Sequence, residues 1–218
     1  VIKLIESKPK VYFKGIIPVD FAGLPVNMEK FRVLADTHKL WIIEDACHAP
    51  GGYFIDSKVE KNFCGNGKYS DIGVFSFHPV KHIACGEGGM LTTNSKELYN
   101  KLILQRTHGI TKDNILENQG RWYYEMIELG FNYRLTDFQS ALGITQLVKN
   151  KKGVERRNEI SSAYKKAFEG KIKFQALPTG SYNAHHLFII EVDKRKELYD
   201  FLHSQGVLVQ IHYIPVLK

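Results

Sequence analysis

"GIIPVDFAG" (15–23), "NMEKFRVLADTHK" (27–39) and "LWIIED" (40–45) follow one another with almost no linker. The first reads as a buried strand ending in a turn. The second is an amphipathic helix, with Asn27 a good N-cap and Phe31, Leu34 and Ala35 on one face. The third is an apolar strand that ends on two carboxylates, Glu44 and Asp45. Strand, helix and strand at this spacing predict a βαβ unit with a parallel pair, and so an α/β fold.

Downstream, "DIGVFSF" (71–77) and "GGMLTT" (88–93) are a third and a fourth strand, and "SKELYNKLILQRTHG" (95–109) is a helix capped by Ser95 and stopped by Gly109. Residues 110–135 read as a long loop region rich in aromatics, and long ordered loops tend to be functional. At Thr136 the pattern changes. "TDFQ" fits a capping box, and the helix it starts is expected to reach about Phe168, with a weak point at Gly153. "LFIIEV" is then a strand, "KRKELYDFLHSQG" a helix stopped by Gly206, and "VLVQIHYI" a strand. The expected organisation is a large unit, 1–150, and a smaller α/β unit, 151–218, with the long helix between them.

The 218 residues carry a net charge of +7, which favours anionic partners without choosing among them. The lysines are spread out, and no helix carries a Lys/Arg stripe, so nucleic acid is not expected as a partner. Three cysteines at irregular spacing argue against a disulfide framework and for a reducing, cytoplasmic compartment. No apolar run approaches membrane-span length, so no membrane partner is expected. The first residues, "VIKLIESKPK", have no starting Met and open in mid-element, which reads as a fragment.

Asp45 ends its strand at the edge where open α/β sheets bind ligands, and "EDACHAPGG" (44–52) leaves it through small residues. Glu44 and Asp45 must point opposite ways, because strand side chains alternate. Ser76 also ends a strand, and Lys81 follows five positions later inside "FSFHPVKHIACGEGG" (75–89). A hydroxyl there suits a phosphate. A lysine that bonds to a carbonyl needs a partly desolvated setting, which Phe75, Phe77 and Ile83 are expected to supply. Glycine clusters by themselves are usually only turns, and "GNGKYS" (65–70) does not have P-loop spacing. Cys47, His48, Cys64, His78, His82 and Cys85 have no metal-site spacing, and no metal is expected. Asn132 and Arg134 precede a capped helix, a place that suits an anion or a partner chain, and "HYIP" holds His212 and Tyr213.

Four of these stretches in this order, "EDACHAPGG", "SFHPVKHIACGEGGML", "LGFNYRLTDFQSALGITQL" and "HYIP", resemble the DegT/DnrJ/StrS family of PLP-dependent nucleotide-sugar aminotransferases. The match extends from about residue 15 to 215. Within the family the form "SFHPVK" with "GEGG" is most similar to the C4 transaminases of pseudaminic-acid synthesis. The resemblance implies a type I PLP-transferase fold, with the mostly parallel sheet of a large domain and a small C-terminal α/β domain. It implies that Lys81 bonds pyridoxal 5'-phosphate and shuttles protons, that Asp45 pairs with the pyridine nitrogen, and that His48 packs on or hydrogen-bonds the ring. Ser76 would hold the phosphate, and Asn132 would reach the phosphate of a neighbouring subunit in a homodimer with shared sites. His212 and Tyr213 would contact substrate. The reaction implied moves an amino group from an amino acid, L-glutamate, to the C4 keto group of a UDP-linked 4-keto-6-deoxy sugar for surface- or flagellin-glycan synthesis. Relatives carry about a hundred further N-terminal residues, with a phosphate clamp and a ring-stacking aromatic, and Asp20 stands where many have His. The rival reading is a non-catalytic regulatory relative on the same fold, which would need neither Lys81 nor Asp45.

Overall fold

The computed structural model describes residues 1–9, 12–111, 120 and 122–213. After a short helix α1 (Ile2–Glu6) comes strand β1, Gly15–Ile16, much shorter than the sequence suggests. Pro18 has no N–H to give a ladder, so pairing resumes only as an isolated bridge between Val19 and Asp45. Helix α2 (Met28–His38) starts where Asn27 accepts from the Lys30 N–H, and ends as Lys39 turns left-handed at φ 54. Its buried Met28 and Ala35 pack on Leu40, Ile42 and Phe54, with Phe31 partly buried at the edge.

Strands β2 (Trp41–Asp45) and β5 (Ile72–Ser76) lie parallel to each other and β2 lies parallel to β1. Between β2 and β5 the chain makes a hairpin, β3 (Tyr53–Ile55) with β4 (Lys61–Phe63). Strand β6 (Gly89–Thr92) closes the main sheet antiparallel to β5, giving the order β1-β2-β5-β6. The sheet is therefore mixed, with two parallel pairs and one antiparallel pair. Gly73 on β5 admits no side chain, since a Cβ there would lie 2.8 Å from the Gly65 backbone.

Helix α3 (Lys96–Arg106) is capped by Ser95, as expected. The aromatic stretch after it contains a small pair, β7 (Ile110–Thr111) with β8 (Glu125–Met126). Helix α4 (Asp137–Ala167) carries the capping box at Thr136 and Gln139, and runs unbroken through Gly153 for about 46 Å. The 150/151 division falls inside it. Its side chains hold three loops: Gln139 donates to the Glu87 carbonyl, Asn150 to Pro50 and Asn158 to Asn183.

Two more short ladders follow, β9 (Lys173–Phe174) with β11 (Ile190–Glu191), and β10 (Ser181–Tyr182) added to β3. The predicted strand "LFIIEV" is cut to β11 because the Leu187 N–H leaves the ladder to bond the Ala22 carbonyl. Helix α5 spans Arg195–Ser204. The described part of "VLVQIHYI", 207–213, forms no strand, and Ile214 and Pro215 of "HYIP" lie outside the described residues. Among the described residues, no helix is long and apolar enough to cross a membrane.

Candidate active site

The alternation of β2 buries Ile42 and Glu44 and leaves Asp45 half-buried at the strand end. Asp45 is fixed by its own backbone, donating to the Pro18 carbonyl at 2.9 Å and accepting from the Asp20 N–H at 3.0 Å. Its Oδ1 accepts from the Cys47 N–H at 3.1 Å. The small-residue turn then doubles back, with Ala49 donating to Ala46 and Gly52 to Ala49. This places His48 where its Nδ1 accepts from the Ala22 N–H at 3.3 Å. A ring nitrogen that accepts carries no proton, so neutral His48 holds its hydrogen on Nε2. Burial, then the Lys81 charge, lowers the His48 pKa and favours that neutral form.

Lys81 rides on a closed loop between β5 and β6. Phe77 donates to the Gly88 carbonyl at 2.8 Å, Cys85 to Phe77 at 3.1 Å and Lys81 to His78 at 2.9 Å. Gly88, at φ 141, could not be replaced, because a Cβ would meet Leu135 at 2.5 Å. Ser76 Oγ, at the mouth of the loop, accepts from the His78 N–H at 3.4 Å. Alternation sends Phe75 and Phe77 to the other face. There Phe77, Ile83 and Cys85 are buried with Phe75 and Leu135, and they line an apolar cavity of about 340 Å3 under α4. The expectation that Phe75, Phe77 and Ile83 enclose the lysine is corrected accordingly. The groups that feel the Lys81 charge are Cys47, His48, His82 and His186.

Asp45 and Lys81 act on the same two groups, Cys47 and His48, with opposite signs. Burial pushes the Cys47 thiol up to about 12, with Asp45 adding to the rise and Lys81 opposing it. The carboxylate at the end of β2 and the amine on the loop after the neighbouring β5 thus bear on the same two side chains, an arrangement that fits a ring with a basic nitrogen at one side and a carbonyl at the other. His212 also bears on His48, and the Tyr213 and Phe21 rings lie 6.1 Å apart, as do those of Phe21 and His48. The structure therefore brings Asp45, His48, Lys81, His212 and Tyr213 near one another, with Ser76 at the end of the adjacent strand. Asn132 is placed elsewhere, exposed and bridged to Thr107 beyond α3.

Two groups were not singled out for this site from sequence. The His186 ring packs tilted against His48 at 4.3 Å between ring centroids and lies 5.4 Å from that of His82. Burial lowers His82 to about 4 and His186 to about 3. Below the strand end sit Asp20, Glu44 and Cys64, all buried, with side-chain ligand atoms within 4.8 Å of one another. Glu44 accepts from the Gly65 N–H and the Ser70 hydroxyl. Asp20 Oδ1 accepts from the Val26 N–H, while Oδ2 has no partner of normal geometry. Burial first, then the Glu44 charge, pushes the Asp20 carboxyl up to about 8. One proton held between the two carboxyls satisfies both burial and repulsion. The separations along the chain hid both groups.

A model of the DegT/DnrJ/EryC1/StrS aminotransferase family matches residues 2–218. The chain is 40% identical over 211 residues to the UDP-4-amino-4,6-dideoxy-N-acetyl-beta-L-altrosamine transaminase of Campylobacter jejuni, covering 94% of this chain and 53% of that protein. Among solved structures it is similar to Helicobacter pylori PseC, an aminotransferase involved in pseudaminic acid biosynthesis, with a TM-score of 0.83 and 31% identity over 97% of this chain and 56% of that one. It is similar also to the putative sugar aminotransferase Spr1654 of Streptococcus pneumoniae in its PMP form, with a TM-score of 0.85 and 25% identity over 98% and 59%. The chain spans about half the length of the curated relatives it matches.

Proposed function

Because the chain belongs to the DegT/DnrJ/EryC1/StrS aminotransferase family, we propose that its strand-end cleft binds pyridoxal 5'-phosphate through Lys81 and transfers an amino group. The donor is an amino acid, L-glutamate, and the acceptor is the C4 keto group of a UDP-linked 4-keto-6-deoxy sugar. The altrosamine transaminase and PseC likenesses support that acceptor class, and the PMP form of Spr1654 supports the cofactor. The observation that carries the reading is the parallel pairing of β2 with β5, Asp45 opposite Val74, which sets the Asp45 strand end beside the strand that leads through Ser76 into the Lys81 loop.

Bound in this cleft, pyridoxal phosphate supplies an electron sink for the carbon that loses or gains the amine. The chain's own residues do the rest. The Asp45 carboxylate keeps the ring nitrogen protonated, because an anion beside it favours the charged form. The Ser76 hydroxyl donates to the phosphate, and His48 offers its Nε2–H toward the ring. The Lys81 amine would carry the proton from the donor Cα to C4′ of the cofactor, and from there to the sugar C4 in the second half of the reaction. His212 and Tyr213 line the rim on the substrate side.

Asn132 serves the phosphate of a second subunit, which makes the enzyme a homodimer with shared sites. Its exposure away from Lys81 supports this, as do the exposed Phe138, Ile144 and Val148 on the neighbouring helix. Residues 1–150 form the cofactor-binding unit and 151–218 the smaller unit, joined by α4. The free thiols Cys47, Cys64 and Cys85 suit a reducing cytoplasm.

The test is the full chain reconstituted with pyridoxal phosphate. A band near ~420 nm that borohydride abolishes is expected from covalent attachment to a lysine, and Lys81→Ala should lose both the band and amine transfer from glutamate. A variant that keeps the band removes Lys81 from its role. A wild-type chain that takes up the cofactor but transfers no amine to the keto sugar would make it a non-catalytic relative.

A further inference from the structure

We infer that His186 is a positioning residue: its ring backs His48, and through His48 it fixes the face presented to the cofactor ring. The inference rests on the pyridoxal phosphate reading of the cleft. The two ring centroids lie 4.3 Å apart, with the planes tilted by 31°. They also hang from one residue. Ala22, left-handed at φ 63, gives its N–H to His48 Nδ1 and its carbonyl to the Leu187 N–H next to His186.

The segment carrying His186 is tied down on every side. The Ala184 N–H donates to Gly23 at 2.9 Å, Asn158 to the Asn183 carbonyl at 2.9 Å, and Arg157 to the His185 and His186 carbonyls at 3.0 and 3.4 Å. His185 sits at φ 51, a conformation a non-glycine residue keeps only where its surroundings over-determine it. Beyond His186 lies His82, 5.4 Å away. His82 Nε2 faces the Ala184 carbonyl at 2.9 Å, and since a carbonyl only accepts, Nε2 carries the hydrogen. Lys81 precedes His82 in the chain, so one backing ring connects the lysine loop, the turn after β2 and the 183–187 segment.

A packed aromatic pair is worth on the order of a two- to tenfold change in an equilibrium constant. In the 15N-labelled full chain without cofactor, imidazole nitrogen shifts should show His48 with its hydrogen on Nε2. His186→Phe, which keeps a flat ring, should preserve that tautomer. His186→Ala should mix the two tautomers and weaken pyridoxal phosphate uptake, titrated by its absorbance, about two- to tenfold. His186→Gln gives the same comparison should the alanine variant not fold. The inference is overturned if the ring-less variants keep the wild-type tautomer and cofactor affinity, or if Phe fails to restore what they lose. A wild-type chain that binds no pyridoxal phosphate would instead defeat the functional reading, while the cofactor-free nitrogen shifts still decide the His186–His48 link.

Discussion

Asp56 and Asp20 are both buried carboxylates with an acidic neighbour, and they are built in opposite ways. Asp56, in the β3–β4 hairpin, accepts from the Lys58 and Glu60 N–H groups, the Asn62 amide, the Lys68 ammonium and the Tyr69 hydroxyl. The Lys68 and Tyr69 bonds come first in holding its pKa well below the usual carboxylate range. Asp20, under the strand ends, has the Val26 N–H and little else, and burial drives it up to about 8. The balance of donors against burial decides whether such an acid is ionised. The hairpin is saturated and inert. By contrast, Asp20 Oδ2 under the strand end, and His82 Nδ1 and His186 Nδ1 beside His48, are buried without partners, as is Ser161 Oγ on α4. The two histidine nitrogens among them belong to the ring cluster at His48, where a ligand could pair them.

Breaking the saturated side should have the largest effect. Asp56→Ala removes the acceptor shared by the Lys58 and Glu60 N–H groups, the Asn62 amide, Lys68 and the Tyr69 hydroxyl, and should lower Tm by roughly 5–10 °C, measured by calorimetry. An unchanged Tm would erase the contrast. Next comes Asp20→Asn. The folded pKa of Asp20 is about 8 against an ordinary 3.8. A raised carboxyl contributes its full stability below the ordinary value and loses it as pH rises through the folded one. The variant should therefore match wild type near pH 4 and exceed it by about 3–5 °C at pH 8. Taking the difference matters, because His82, His185 and His186 are lowered and act the other way, losing stability as pH falls below 6.5. A difference that shrinks with rising pH would reverse the assignment of the proton. The smallest effect belongs to Lys68→Ala. Its side chain is 37% exposed, so one donor fewer among five should cost only about 1–2 °C. A larger loss would mean that the ammonium alone holds the hairpin together.

The parts legible in the sequence were those with local signals. Asn27, Ser95 and the Thr136–Gln139 box each mark a helix start by bonds within three residues. The strand carrying Asp45 and the loop carrying Ser76 and Lys81 were visible as one continuous stretch. The hairpin β3–β4 was not, because its loop is organised by the Asp56 side chain rather than by a glycine turn. Strand β10 escaped because two residues carry no period. The run at 207–213 looks apolar enough for a strand, yet forms none among the described residues. His186 and the Asp20–Glu44 pair stayed hidden for a different reason: each needs a partner brought in by tertiary folding, as when Ala22 meets His48 and Leu187. Proximity in sequence suggests Phe75, Phe77 and Ile83 as the setting of the lysine, yet they pack with Cys85 and Leu135 around the cavity under α4, a grouping that only tertiary folding makes.

The length of α4 has a consequence for how this chain can vary. Gln139, Asn150 and Asn158 moor the glycine turn, the loop after β2 and the 183–187 segment to one rod. Inserting a single residue between Asn150 and Asn158 would swing every later side chain by about 100° around the axis. The first two moorings would hold and the third would come adrift, so this span tolerates substitution far better than any change in length.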